Sequence, residues 1–196
     1  MEIKKIFSEP CDNNTYLVSD NKKAILIDAS CDVQEIEKNL DGKKLVAIFI
    51  THGHYDHVAN LDNLVNKYKV KVYLTIEAFK KLNNPIENCS YVFGVNYKTS
   101  LNEADFVFVE NGTVIEFIRD YPIEVHRTKG HTDCGVCLKF GDNILFSGDT
   151  IFYRTYGRTD MPTGDSKIME KTLEYIGENF KGYTVYAGHG RSFVLG

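Results

Sequence analysis

Short apolar runs that suit strands alternate along this chain with stretches whose apolar residues recur every three or four positions. Thr15–Val18 and Ala24–Asp28 flank the polar turn Asp20-Asn21-Lys22-Lys23 and predict a β-hairpin. Val33–Leu40 predicts a short helix, with Val33, Ile36 and Leu40 on one face. Leu45–Ile50 is almost wholly apolar, which marks a strand buried on both faces. Val58, Leu61, Leu64, Val65 and Tyr68 predict a helix from about Val58 to Tyr68, with Asp56 as its N-terminal cap. Val70–Leu74 reads as a buried strand and Glu77–Leu82 as a short helix. Phe106–Val109 and Thr113–Ile118 flank Asn111-Gly112, a strong local signal for a hairpin. Ile123–Arg127, Cys134–Phe140 and Ile144–Ser147 predict further strands, and Thr184–Ala187 a last one. Lys167–Phe180 predicts a helix with Ile168, Met169, Leu173 and Ile176 as its buried stripe and Asp165 or Ser166 as its cap.

This order predicts an α/β chain: two sheets packed face to face with helices outside. There is no repeat, low-complexity tract or long linker, and 196 residues suit one domain with a substantial core. Hydrophobic residues make up 43% and charged residues 26%, and the net charge is −4, so nucleic acid is not an expected partner. No apolar run reaches the roughly 20 residues of a membrane span, and the start has no secretory h-region. The five cysteines, Cys11, Cys31, Cys89, Cys134 and Cys137, are odd in number and irregularly spaced. They argue for a reducing, cytoplasmic setting rather than a disulfide framework. Cys134 and Cys137 form a C-x-x-C, but on a strand residues three apart face opposite sides, and no second pair completes a zinc ribbon. Cys134 follows His131 closely, which leaves open a place near any metal.

The chemistry concentrates in Thr51-His52-Gly53-His54-Tyr55-Asp56-His57, where three of the chain's six histidines flank a carboxylate. His131 and His189 lie in the glycine-flanked turns Gly130-His131-Thr132 and Gly188-His189-Gly190, and Asp149 in Gly148-Asp149-Thr150. Each of these loops follows a predicted strand, so the side chains are expected to gather at one end of the sandwich. Neutral imidazole binds first-row ions well, and a carboxylate can bridge two cations. We assign His52, His54 and His131 to one metal and Asp56, His57 and His189 to another, with Asp149 bridging. Zinc (Zn2+) is the first expectation for the two divalent ions, with iron or manganese as alternatives. His126, inside a predicted strand, reads as structural.

These motifs, in this order, resemble the metallo-β-lactamase superfamily: His52-Gly53-His54-Tyr55-Asp56-His57, Gly130-His131-Thr132, Phe146-Ser147-Gly148-Asp149-Thr150 and Gly188-His189-Gly190. The resemblance implies an αββα sandwich with a dinuclear site at one edge. Gly157-Arg158-Thr159-Asp160 is similar to the single-domain glyoxalase II-like, or hydroxyacylglutathione hydrolase-like, branch. Asp149 stands where many true β-lactamases use cysteine. Lys129 and Ala187 replace prolines common in the family, and Cys134 replaces a glycine. The C-terminal helical domain that helps full-length glyoxalase II hold glutathione is not expected within residues 1–196.

The activity the resemblance implies is hydrolysis of a small-molecule thioester, expected to join an α-hydroxy acid to a low-molecular-weight thiol, by water activated at the metals. Asp56 would both ligate and orient the nucleophile. Arg158 and Asp160 are expected to fix their loop from a buried position, the plainer alternative being a surface ion pair. Tyr153, Arg154 and Tyr156 either line the substrate entrance or are ordinary loop residues. Two other functions compete. A persulfide dioxygenase would use one iron on His52, His131 and Asp149, and a non-catalytic metal-stabilised module would turn nothing over.

Overall fold

The computed structural model describes residues 1–8 and 11–196. Its strands form two large sheets. The first runs β1 (Glu2–Ser8), β2 (Asn13–Ser19), β3 (Lys23–Ile27), β4 (Lys44–Phe49), β5 (Lys71–Leu74), β6 (Phe106–Phe108), in that spatial order. The second has the order β14 (Phe193–Val194), β13 (Thr184–Ala187), β10 (Ile144–Gly148), β9 (Val136–Phe140), β8 (Tyr121–Arg127), β7 (Val114–Ile118). A small hairpin, β11 (Ile151–Phe152) and β12 (Thr155–Tyr156), stands apart from both. The helices are α1 (Val33–Leu40), α2 (Tyr55–Val58), α3 (Leu61–Tyr68), α4 (Ile76–Lys81) and α5 (Ser166–Asn179).

The period-two alternation of the strands divides the interior into layers. Tyr16, Val18, Ile25, Ile27 and Phe49 of the first sheet meet Ile123, Val125, Leu138, Phe140 and Phe146 of the second in a core between the sheets. Leu17, Leu26 and Ile48 point the other way, against Ile36 of α1 and Leu61, Leu64 and Val65 of α3. Cys137, Leu145 and Val185 pack on the outer face of the second sheet with Ile176 and Phe180, at and just beyond the end of α5. The result is the expected αββα sandwich. Full burial of each large apolar side chain in these layers contributes about 1.5–3 kcal/mol. The Val70–Leu74 strand starts one residue later than expected, and the Asp20–Lys23 turn joins β2 to β3 as the pattern predicts.

Three departures have physical causes. Asn111-Gly112 does not close a hairpin. β6 pairs in parallel with β5, whereas β7 pairs with β8, so the turn carries the chain from one sheet to the other. Gly112 takes the positive φ that the turn chemistry demands, but its N–H and the Asn111 side chain bind the backbone of β8 instead. The helix expected over Val58–Tyr68 begins only at Leu61, as α3, and the short α2 ends at Val58, where Ala29 N–H binds the His57 carbonyl and Asn60 N–H binds the Ala29 carbonyl. Asp56 therefore lies inside α2 and caps nothing; the cap position falls to His54, which makes no side-chain capping bond. In α5 the buried stripe is Met169, Thr172 and Ile176, while Ile168 is exposed. Thr172 Oγ1 donates to the Lys129 carbonyl at 2.6 Å, and Asp165 caps the helix as expected.

Candidate metal centre

Four strands deliver the cluster to one end of the sandwich. His52, His54, Asp56 and His57 follow β4, His131 follows β8, Asp149 follows β10 and His189 follows β13. The loops approach one another closely. Val136 N–H binds the Thr51 carbonyl, and Gly188 N–H binds the Gly148 carbonyl. Gly188 has to be glycine because a Cβ there would run into Asp149 Oδ1 and His57 Cε1. Gly157 has to be glycine because a Cβ would strike the Asp149 carbonyl.

Two groups of donors result, each with its atoms within 4.8 Å of one another: His52, His54 and His131, and Asp56, His57, Asp149 and His189. The rings of His52 and His57 lie 4.1 Å apart, so the groups are adjacent. Asp149 touches both. Its Oδ2 lies 3.6 Å from His131 Nε2 and 3.3 Å from His189 Nε2, and its Oδ1 3.2 Å from His57 Nε2.

Outer hydrogen bonds select which nitrogen of each ring faces inward. His57 Nδ1–H donates to Asp28 Oδ2 at 2.7 Å, His131 Nδ1–H to the Arg158 carbonyl at 2.7 Å, and His189 Nδ1–H to the Asp12 carbonyl. His52 Nδ1 lies 3.2 Å from Thr51 Oγ1, which itself donates to Asp28. These bonds leave Nε2 of His57, His131, His189 and His52 toward the cluster. His54 is reversed: its Nδ1 lies 3.1 Å from His52 Nε2 and 3.0 Å from His131 Nε2, and its Nε2 is buried without a partner.

The electrostatics differ between the groups. Burial, reinforced by neighbouring imidazoles, pushes His52 well below its ordinary range and His54 down to about 3. Both rings are therefore held neutral, and His54 Nδ1 faces Nε2 of His52 and Nε2 of His131 across the same space. That arrangement fits a cation. In the second group burial opposes charge as well, but Asp149, Asp28 and Asp56 overcome it and hold His57 well above the ordinary range. His189 is likewise raised against its burial, by Asp149 and Asp56, to about 10. Burial works to raise Asp56 and Asp149, yet His57 and His189 hold both below the usual carboxylate range. Nitrogen and carboxylate donors in these proportions suit zinc, iron or manganese.

The family model described as the metallo-beta-lactamase superfamily matches residues 8–189. The chain belongs to the metallo-beta-lactamase superfamily. A probable metallo-hydrolase of Streptococcus pyogenes serotype M6, M6_Spy0554, is 30% identical over 206 residues, covering 100% of this chain and 86% of that protein. The hydroxyacylglutathione hydrolase GloC of Haemophilus influenzae is 26% identical, over 94% of this chain and 88% of its own. Among solved structures, the BLEG-1 B3 metallo-beta-lactamase superposes with a TM-score of 0.88 at 26% identity, covering 98% of this chain and 94% of that one. TTHA1623 in a di-iron-bound form gives 0.83 at 25% identity, with the same coverages. The superfamily binds divalent metals, and the two donor groups of this chain offer a candidate metal-binding site. No helix among the described residues is long and apolar enough to cross a membrane.

The structure brings the seven expected donors into these two adjacent groups, but several supporting residues act differently from expectation. Arg158 and Asp160 are not buried: they form an exposed bidentate ion pair, with both contacts at 2.7 Å. What fixes His131 is the Arg158 carbonyl, so this loop works through its backbone. Tyr153 and Tyr156 are exposed. Tyr153 lies beneath the Arg191 guanidinium at 3.7 Å and beside Arg154 at 5.0 Å, and it lines a cavity of about 310 Å³ with Phe152 and Phe193. Phe152 in turn packs 5.9 Å from the His189 ring. Cys134 joins neither donor group; it precedes β9 and is fully buried, and its Sγ accepts from Gly53 N–H at 3.4 Å. Cys137 lies in a different layer, beneath α5. All five cysteines are free. His126 sits away from the cluster, bonded to Tyr175 Oη at 2.8 Å.

Asp28, Asn13 and Lys81 were not singled out from the sequence. Asp28 adopts φ 62° at the end of β3, and its carboxylate holds Thr51 and His57 together. A carboxylate closing the apolar run Ala24-Ile25-Leu26-Ile27 was the available signal. Asn13 Nδ2 lies 3.0 Å from His57 Nε2, and the Ser30 hydroxyl donates to its Oδ1 at 2.5 Å.

Proposed function

We propose that this chain is a thioester hydrolase of the glyoxalase II-like type, acting on a hydroxyacyl thioester of a small thiol. The observation that carries the reading is the sharing of Asp149 between two adjacent donor groups. His52, His54 and His131 would hold one divalent ion, and Asp56, His57 and His189 the other, with Asp149 between them. Such a pair supplies acidified water near neutral pH and polarises a carbonyl oxygen.

The residues of the chain do the rest. Asp28 and the Arg158 carbonyl keep His57 and His131 in the tautomers that face inward. Asp56 Oδ2, 3.2 Å from His189 Nε2 and 3.7 Å from His57 Nε2, would both ligate and orient a water. A departing thiolate has an ordinary pKa near 8.5, so it needs little help from an acid. This suits a cluster whose imidazoles and carboxylates are all committed as donors. Tyr156 and Arg158, exposed on either side of the buried Gly157, stand beside the loop that holds His131 and are our candidates for contact with the thiol portion. The GloC relative supports the substrate class by likeness.

The test pairs elemental analysis of protein purified without a metal-affinity step with a steady-state assay of lactoyl-thiol hydrolysis. Two divalent ions per chain and turnover abolished by chelation are expected. One iron per chain with persulfide-dependent oxygen uptake would replace this reading with the dioxygenase.

A further inference from the structure

Lys81, at the end of α4, is only 1% exposed, yet it carries an ammonium group. Its Nζ lies 2.8 Å from Asp133 Oδ1 and 3.1 Å from Glu87 Oε2, two acids that remain partly exposed. Burial by itself would lower the Lys81 pKa, but these partners reverse the shift and the group stays charged. An ion pair this deep needs its partners, because removing one leaves a charge without compensation.

The position of Lys81 relative to the ligand loops is specific. Its Cβ packs against Gly53, the residue between His52 and His54, so closely that a side chain on Gly53 would press on it. Its carbonyl accepts from Asn88 Nδ2 at 3.1 Å, and the Asn88 carbonyl accepts from Tyr55 N–H at 2.7 Å. Its ammonium holds Asp133, two residues beyond His131. The next residue, Cys134, receives Gly53 N–H and touches Thr132 Oγ1 at 3.1 Å. Lys81 thus contacts the His52–His54 loop directly and the His131 loop through a charge. The second group is held by other means: Asp28 fixes His57, and the Asp12 carbonyl fixes His189.

We propose that Lys81 is a positioning residue for the three-histidine group, coupling α4 and the His52–His54 loop to the His131 loop, and that its loss selectively weakens cation binding by that group. The proposal rests on the reading of the cluster as a metal centre. It is tested by titrating metal-free wild-type protein and the variants Lys81→Met, Asp133→Asn and Asp133→Glu with Co2+, following hyperfine-shifted imidazole N–H resonances that report each group separately. Lys81→Met and Asp133→Asn are expected to weaken the three-histidine group about tenfold or more, the range for outer ligand partners, and to leave the other group within about threefold. Asp133→Glu keeps the charge and should restore much of the affinity. Asp133 is partly exposed, so its variants give the answer even if Lys81→Met does not fold. Equal weakening of both groups, or wild-type affinity in Asp133→Asn, would overturn the coupling alone; a wild-type chain that takes up no Co2+ would overturn the metal reading with it.

Discussion

The two halves of the cluster are built from opposite electrostatics. His52, His54 and His131 are set in a buried pocket that keeps His52 and His54 neutral, so their nitrogens are ready for a cation. Asp56, His57, Asp149 and His189 sit among three carboxylates, counting Asp28, and His57 and His189 carry protons when no cation is present. The first half is preorganised by burial and by bonds to the loops beneath it. The second is a charge-balanced network in which protons stand where a cation would stand. Cation binding by the two groups is therefore expected to depend on pH in different ways.

Asp149 joins the halves, so its replacement should have the largest effect. Asp149→Ala is expected to lower hydrolysis by more than the hundredfold typical of outer-shell changes, and to weaken both groups in a metal titration. Loss confined to one group would separate the halves.

The pH dependence comes next. His57 and His189 are raised, so a cation entering the second group must displace protons. Between pH 8 and 6 its affinity should fall about tenfold per unit for each proton displaced. His52 and His54 should add little to that dependence, because both are already neutral there. Calorimetry in buffers of different ionisation enthalpy measures the protons directly. The same shifts set the stability of the metal-free chain. The raised imidazoles stabilise it fully below the ordinary histidine pKa, and that contribution fades as pH rises toward about 10. The gain in Tm on adding metal should accordingly grow from pH 6.5 upward.

Asp28→Asn should cost about tenfold in affinity, mainly in the second group, because Asp28 binds His57 directly and reaches His52 only through Thr51. The smallest effect belongs to the loop beyond β12. Arg158→Ala removes an exposed ion pair but not the carbonyl that holds His131, so metal content and Tm should stay at wild-type values while KM changes at most a few-fold. Gly157→Ala, by contrast, should lose metal, since its Cβ meets the Asp149 backbone.

The fold was legible in the chain wherever periodicity carried the information. The αββα layers follow from alternation in β2, β3 and β4 and from the three-to-four spacing in α1 and α3. It failed where partners distant in sequence decided the outcome. Asn111-Gly112 has good hairpin chemistry, but β5 and β8 claim the flanking strands. The helix after the histidine run begins only at Leu61, beyond contacts with Ala29 that no local pattern around Val58 reveals. The donors themselves were legible because imidazoles crowd into so few positions. Their supports were not: Asp28 and Lys81 are ordinary residues in sequence and gain their roles only by contact. Arg158 misled in a different way, since its side chain is exposed and its carbonyl does the holding.

Whether these side chains hold two ions decides between one metal and two. Anomalous diffraction from crystals grown with zinc, recorded on both sides of the zinc edge, measures it directly. Two peaks are predicted: one against Nε2 of His52, Nδ1 of His54 and Nε2 of His131, the other against Asp56, His57 and His189, with Asp149 reaching both. A single peak, or density placed away from these residues, would contradict a two-metal centre.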